Sequence, residues 1–135
     1  MSMPTLVGLR NVKVPVTDLP VAIDWYVRVL GFRVTIEFPD GNGVVRGVHG
    51  ELPGIGAVLA LREDPEAARG LGVFAIANFE VADRDALETW ATYLDTLDVA
   101  HGSIFDSVHG SVLVFDNPDG QEIHLYAPAH ASGTP

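Results

Sequence analysis

The apolar pattern of this chain occurs twice, and that repeat constrains the fold more than any other feature. Val14, Val16 and Asp18 form an apolar-x-Val-x-Asp pattern just before an amphipathic segment, and residues 79–83 repeat it before a second such segment. The periodicity of each half predicts the order strand, helix, strand, strand, strand. Because roughly 60 residues bury too little apolar surface to be stable alone, we expect the 135 residues to form one domain.

Local signals predict the limits of the first helix. Asp18 stands where an N-cap accepts a hydrogen bond from a free backbone N–H, and Pro20 falls in the first turn, where a missing N–H costs little. Gly31 can take the left-handed conformation that ends a helix, and Asp83 repeats the role of Asp18 before the second helix. Strands are predicted at residues 12–16, 32–38, 44–49, 55–62, 73–81, 99–106, 112–116 and 122–127.

The predicted fold is α+β, with two βαβββ modules that form a curled mixed sheet with a concave groove. Module one covers about residues 8–63, a linker 64–72, module two 73–128, and a flexible tail that contains His130 covers 129–135. Each helix is expected on the convex face of its own sheet, so that strand residues of the other face line the groove. The core is expected to include the aromatic residues Trp25, Phe38, Phe74, Trp90 and Phe105.

The composition excludes several classes of function. Eight Lys and Arg against eighteen Asp and Glu give a formal net charge of −10, which argues against nucleic-acid binding, because phosphates require clustered cations. The same charge attracts cationic ligands. The absence of cysteine excludes disulfides and thiolate catalysis. No stretch approaches the ~20 apolar residues that cross a bilayer, and the first residues lack a signal-peptide pattern, so we expect a cytoplasmic protein without a membrane partner.

Several motifs in order resemble a known family. They are NVKVPVTDL at 11–19, Trp25-Tyr26 late in the first helix, Leu30-Gly31-Phe32 at its end and NPDGQEIHL at 117–125. With the two modules, they resemble the vicinal oxygen chelate superfamily over residues 8–128. That superfamily includes glyoxalase I, extradiol dioxygenases, methylmalonyl-CoA epimerase and the bleomycin-resistance binding proteins. Because one scaffold hosts many functions, the resemblance implies the fold more directly than the chemistry.

The resemblance also implies four metal-ligand positions, one on the first and one on the last strand of each module. In this sequence they fall on Asn11, Ala60, Ile76 and His124. A divalent metal site requires at least three good protein donors. Here His124 is a good donor and Asn11 offers a weak amide oxygen, whereas the alanine and the isoleucine offer no donor at all. We therefore predict no metal and no other cofactor.

Alternation along the strands predicts which side chains face the groove. His124 is the candidate catalytic residue, because histidine titrates near neutral pH and can transfer protons. The alternative is a displaced metal site that combines His124 with His49, Glu80 or Glu122. The predicted ligand-binding residues are Asn11, Lys13, Ala60, Ile76, Asn78, Glu80, His124 and Tyr126, with Val58 and Glu122 on the same face.

Three functions fit these residues. The first is a glyoxalase/bleomycin-resistance-like protein that binds a small organic molecule, cationic or aromatic, in the groove without a metal. The second is an isomerase, lyase or dioxygenase-like enzyme that uses His124 as acid and base, or a displaced metal. The third is a dimeric module whose groove has no ligand. The resemblance further implies a homodimer, because small members of the family complete or border their pockets with a partner chain.

Overall fold

The computed structural model describes residues 2–129, and the predicted tail with His130 lies outside the described residues apart from its first position. The described part contains eight strands and three helices. In chain order they are β1 (Asn11–Val16), α1 (Leu19–Leu30), β2 (Arg33–Pro39), β3 (Val45–Glu51), β4 (Val58–Glu63), α2 (Pro65–Leu71), β5 (Asn78–Glu80), α3 (Arg84–Thr96), β6 (Phe105–Ser107), β7 (Gly110–Asp116) and β8 (Glu122–Pro128).

The chain divides into two compact units, which we call unit 1 and unit 2. Unit 1 ends at Asp64 and unit 2 begins at Pro65. Each contains a four-stranded mixed sheet, with strand order β1-β4-β3-β2 in unit 1 and β5-β8-β7-β6 in unit 2. The first and last strands of each module pair in parallel and the other neighbours pair antiparallel. The predicted α+β class and the duplicated βαβββ order are confirmed.

Helix α1 begins and ends at the predicted residues. The Asp18 carboxylate accepts a hydrogen bond from the backbone N–H of Val21 at 3.1 Å, and Gly31 ends the helix with φ of 72°. Glycine adopts this left-handed conformation without the steric cost that a Cβ brings. The buried face of the helix carries Leu19, Ala22, Trp25, Tyr26 and Val29, and it packs on β4.

Helix α3 repeats this construction in unit 2. The Asp83 carboxylate accepts a hydrogen bond from the backbone N–H of Ala86 at 2.8 Å, which confirms the second predicted N-cap. Leu87 and Leu94 are fully buried where the helix packs on β7 and β8. Both helices therefore cover one face of their own sheet and leave the other face to the alternate residues of each strand.

Two strands of unit 2 are shorter than predicted, and the predicted linker contains the short helix α2. Before β5, the carbonyl oxygen of Val73 accepts a hydrogen bond from the backbone N–H of Glu122 in β8 at 2.9 Å. After β5, the backbone N–H of Val81 donates a hydrogen bond to the carbonyl oxygen of Tyr126 in β8 at 2.8 Å. Residues 74–77 leave the ladder between these bonds, so Ile76 precedes the strand. Alternation predicts which residues suit a strand, but the length of a ladder depends on the path of the partner strand.

The expected aromatic core is only partly present. Trp25 is buried and Trp90 is half-buried, but Phe74 and Phe105 are exposed by 67% and 66% and Phe38 by 38%. Phe74 lies in the segment that leaves the ladder, and Phe105 lies on the edge strand β6, opposite Val112 on the face away from α3. No helix in the described range 2–129 is long and apolar enough to cross a membrane.

Candidate functional site

The sheet face away from α3 collects the polar residues of unit 2. Along β8, Ile123, Leu125 and Ala127 are buried, and the residues between them point to the other face. His124 lies opposite Asn78 of β5 and Val114 of β7, and Tyr126 lies opposite Glu80 and Val112. These neighbours form a concavity of about 390 Å³, which we call the unit-2 concavity. It is lined by Asn78, Phe79, Glu80, Val112, His124 and Tyr126.

His124 is bonded to an acidic neighbour on its own strand. Its Nε2 lies 2.9 Å from Oε1 of Glu122, and both side chains are partly exposed. The two residues are separated by one position, so the pleat places them on the same face. A neutral imidazole that carries its proton on Nε2 donates this hydrogen bond and leaves Nδ1 as an acceptor. The carboxylate thus orients the ring.

The hydroxyl of Tyr126 is held by the backbone, because it donates a hydrogen bond to the carbonyl oxygen of His109. By contrast, Asn78 and Glu80 are exposed, and within residues 2–129 no hydrogen bond or ion pair engages either side chain. The unit-2 concavity therefore combines two fixed polar groups, on His124 and Tyr126, with an amide and a carboxylate that are available to a ligand.

Unit 1 carries a smaller concavity on the corresponding face of its sheet. Lys13 of β1 and His49 of β3 lie on either side of Ala60 of β4, and Arg62 lies opposite Gly47. The rings of Phe38 and His49 meet edge to face, with centroids 4.7 Å apart. The space measures about 160 Å³, and we call it the unit-1 concavity. It is lined by Lys13, Phe38, Gly47, Val48, His49, Ala60, Leu61 and Arg62.

The predicted site residues are distributed over both concavities. Asn78, Glu80, His124 and Tyr126 line the unit-2 concavity, and Lys13 and Ala60 line the unit-1 concavity. Asn11 and Ile76 line neither of the two. Arg62 and Phe38 also line the unit-1 concavity, although neither is among the predicted ligand-binding residues. Alternation on β4 contained the signal for Arg62, because it follows Ala60 by two positions on the same face.

The donor atoms do not fit a divalent metal at the implied positions. Asn11 lies opposite Val58 and is not paired with Ala60, and neither Ala60 nor Ile76 has a donor atom. Within residues 2–129, no group of three or more His, Asp or Glu side chains is arranged to hold a metal ion. The pair His124 and Glu122 supplies two donors, one fewer than a protein site with room for substrate requires.

The comparisons with known proteins agree with this fold. A family model described as the Glyoxalase/Bleomycin resistance protein/Dioxygenase superfamily matches residues 8–125. Among solved structures, the chain is similar to TnmS3, an antibiotic binding protein from Streptomyces sp. CB03234. The TM-score is 0.76 at 23% identity, and the match covers 94% of this chain and 100% of that chain.

Two further structures have the same fold at lower identity. Lactoylglutathione lyase from Agrobacterium tumefaciens has a TM-score of 0.72 at 16% identity, with 92% of this chain and 96% of that chain covered. The fosfomycin resistance protein FosX from Listeria monocytogenes has a TM-score of 0.69 at 12% identity, with 93% and 97% covered. At such identities the likeness concerns the fold alone. None of the curated proteins matches this sequence.

Proposed function

The chain belongs to the glyoxalase/bleomycin resistance protein/dioxygenase superfamily, and on that premise we propose that it binds a small organic molecule in the unit-2 concavity without a metal ion. The observation that carries the proposal is the concavity itself. Its volume of about 390 Å³ falls within the roughly 300–1,000 Å³ of small-molecule pockets. Apolar side chains and a few convergent polar groups line it, as in other binding sites of this kind.

The charges of the concavity favour a planar cation. Glu80 lines the concavity with a carboxylate that has no protein partner among the described residues. Glu122 lies outside the lining and is bonded to His124. Tyr126 provides an aromatic surface, which attracts cations through its ring. The formal net charge of −10 raises the local concentration of such ligands. The similarity in fold to an antibiotic binding protein supports a role in binding.

Thermal unfolding with matched planar compounds tests this proposal. Benzamidine carries a positive charge and benzamide, of nearly the same shape, carries none. We expect benzamidine to raise the unfolding midpoint, because a ligand at 100 times its Kd stabilises the native state by about 2.7 kcal/mol. Benzamide should raise the midpoint less, because it has no positive charge to interact with Glu80. Glu80→Gln should remove most of the benzamidine effect.

Glu66→Gln is the matched control, because Glu66 is exposed on α2 in the same unit and lies outside the concavity. It changes the net charge by the same amount. The proposal is wrong in its cationic part if both variants respond to benzamidine alike. It is wrong altogether if a broad set of aromatic compounds, charged and uncharged, leaves the midpoint unchanged.

The hydrogen bond between His124 and Glu122 favours a second candidate, an isomerase or lyase that uses His124 as acid and base. A carboxylate that orients an imidazole is the usual support of a general base. Exchange of C–H protons of a bound ligand with D₂O, followed by NMR, tests this function. Wild type should accelerate the exchange and His124→Ala should abolish it, while Glu122→Gln should slow it. Equal exchange in wild type and His124→Ala would exclude the acid–base role.

The homodimer and the cytoplasmic location stay predictions.

A further inference from the structure

The unit-1 concavity differs from the unit-2 concavity in its charge. Lys13 of β1 lies opposite Ala60 of β4, and Arg62 follows Ala60 by two positions on the same face. Lys13 and Arg62 are therefore diagonal neighbours on adjacent strands. Neighbouring strands lie about 4.8 Å apart and two residues rise about 6.6 Å along a strand, so the two Cα atoms lie roughly 8 Å apart. Two long side chains that start at this spacing on one face can both reach the same anionic group.

Among the described residues, Lys13 and Arg62 have no acidic partner, whereas the other arginines of this sheet are paired. Arg33 bonds to Glu51, and Arg46 bonds to Asp40 at 3.0 Å and to Glu63. Within residues 2–129, no hydrogen bond or ion pair engages the side chain of Lys13 or Arg62. In a chain with eighteen acidic and eight basic residues, two cations without acidic partners on one face leave a local positive charge.

The side chain of Arg62 lies alongside Gly47 of the neighbouring strand β3. A Cβ built on Gly47 would lie 3.5 Å from Cδ and 3.7 Å from Nη1 of Arg62. The arginine side chain therefore extends across the bare backbone of Gly47, on the strand next to its own. This position keeps the guanidinium over the concavity, and its planar fork is suited to a carboxylate.

The remaining wall is apolar and aromatic. Ala60 is 2% exposed and forms the floor between Lys13 and His49. Phe38 and His49 meet edge to face at 4.7 Å and offer a ring surface. The volume is about 160 Å³, and a cavity of about 150 Å³ accommodates one benzene ring. The volume of the concavity, its aromatic side chains and its positive charge together favour a small aromatic anion as the ligand.

We propose that the unit-1 concavity is a binding site for a small aromatic carboxylate, with the carboxylate between Lys13 and Arg62 and the ring against Phe38 and His49. The site lies within unit 1 and takes the opposite charge to the ligand proposed for unit 2. The two proposals therefore stand on different residues and fail separately.

Titration of the full chain with benzoate tests this site. Calorimetry measures Kd, and ¹H–¹⁵N NMR shows which backbone amides move. We expect benzoate to shift the amides of Gly47, His49 and Arg62, and to bind about tenfold or more tightly than benzamide, which has the ring without the charge. Arg62→Gln and Lys13→Met should each weaken benzoate binding by about tenfold.

Arg69→Gln is the matched control, because Arg69 is exposed on α2 outside the concavity and its loss changes the net charge equally. It should leave the Kd of benzoate within about twofold of wild type. The proposal is overturned if benzamide binds as tightly as benzoate, or if Arg69→Gln weakens binding as much as Arg62→Gln. It is also overturned if benzoate moves amides of unit 2 instead. Because Lys13 and Arg62 are exposed, both variants should keep the dispersed NMR spectrum of wild type.

Discussion

At the scale of single residues, Glu63 shows how one carboxylate joins two elements. Its Oε2 accepts a hydrogen bond from the backbone N–H of Leu19 at 2.9 Å, and its Oε1 accepts one from Arg46. Leu19 is the first residue of α1, where backbone N–H groups have no partner within the helix. The N–H of Leu19, and after it the guanidinium of Arg46, lower the pKa of Glu63 from its usual value. The charged carboxylate therefore stabilises the folded chain.

Replacing Glu63 by glutamine should lower the free energy of unfolding by about 1 kcal/mol at pH 7, because hydrogen bonds to a charged acceptor are roughly twice as strong as neutral ones. A carboxyl with a lowered pKa contributes stability above its unfolded pKa and loses it as the pH falls through the folded pKa. The difference between wild type and Glu63→Gln should therefore shrink in acid. Urea unfolding at pH 7 and pH 3 measures both values, with Glu66→Gln as control. A difference that is constant with pH would contradict this role.

At the scale of elements, Gly110 controls how β7 begins beside β8. Its φ is 147°, and a Cβ at this position would lie 2.3 Å from the carbonyl oxygen of Ala127 and 2.8 Å from the hydroxyl of Tyr126. The same hydroxyl donates to His109 O. Close approach of two strands at this glycine therefore positions a side chain of the unit-2 concavity, so an element boundary and the candidate site depend on one residue.

We expect Gly110→Ala to lower the free energy of unfolding by about 2–4 kcal/mol. The new Cβ would collide with the backbone of β8, and the alanine would have to adopt a positive φ that is unfavourable for residues with a side chain. Benzamidine binding should weaken with it, since Tyr126 must move. Gly102→Ala is the matched control in the same unit. A Cβ there would lie at an ordinary 3.7 Å from the oxygen of Val114, and its φ is not in the left-handed region. Equal stabilities of the two variants would show that β7 and β8 separate freely at Gly110.

At the scale of the whole molecule, the two units keep one strand order and differ in the chemistry of their faces. Lys13 and Asn78 lie at the same distance along the chain from the N-caps Asp18 and Asp83, and their strand partners are Ala60 and His124. The corresponding positions thus carry an alanine in unit 1 and a histidine in unit 2. The two units thus share one strand order while their two concavities differ in charge and size.

The donor atoms of residues 2–129 lead to a prediction about metals. Protein purified without chelator should contain much less than one divalent ion per chain, and added Zn²⁺ should not raise the unfolding midpoint, since a metal that binds the native state must stabilise it. EDTA should likewise leave the midpoint unchanged. Elemental analysis and thermal unfolding measure these outcomes. One tightly bound divalent ion per chain, lost together with His124 in the variant His124→Ala, would contradict the proposed binding without a metal.

The repeat, both N-caps, the end of α1 at Gly31 and the face on which His124 and Lys13 lie were all predictable from the order of the residues. These features depend on hydrogen bonds and alternation within a few residues, and such local rules act wherever the chain goes. Three other features could not be predicted in this way: β5 is three residues long, Arg62 extends over Gly47, and Tyr126 bonds to His109. Each of these depends on a strand or loop that is distant in sequence, because pairing register and close approach are set by the partner and not by the residue alone.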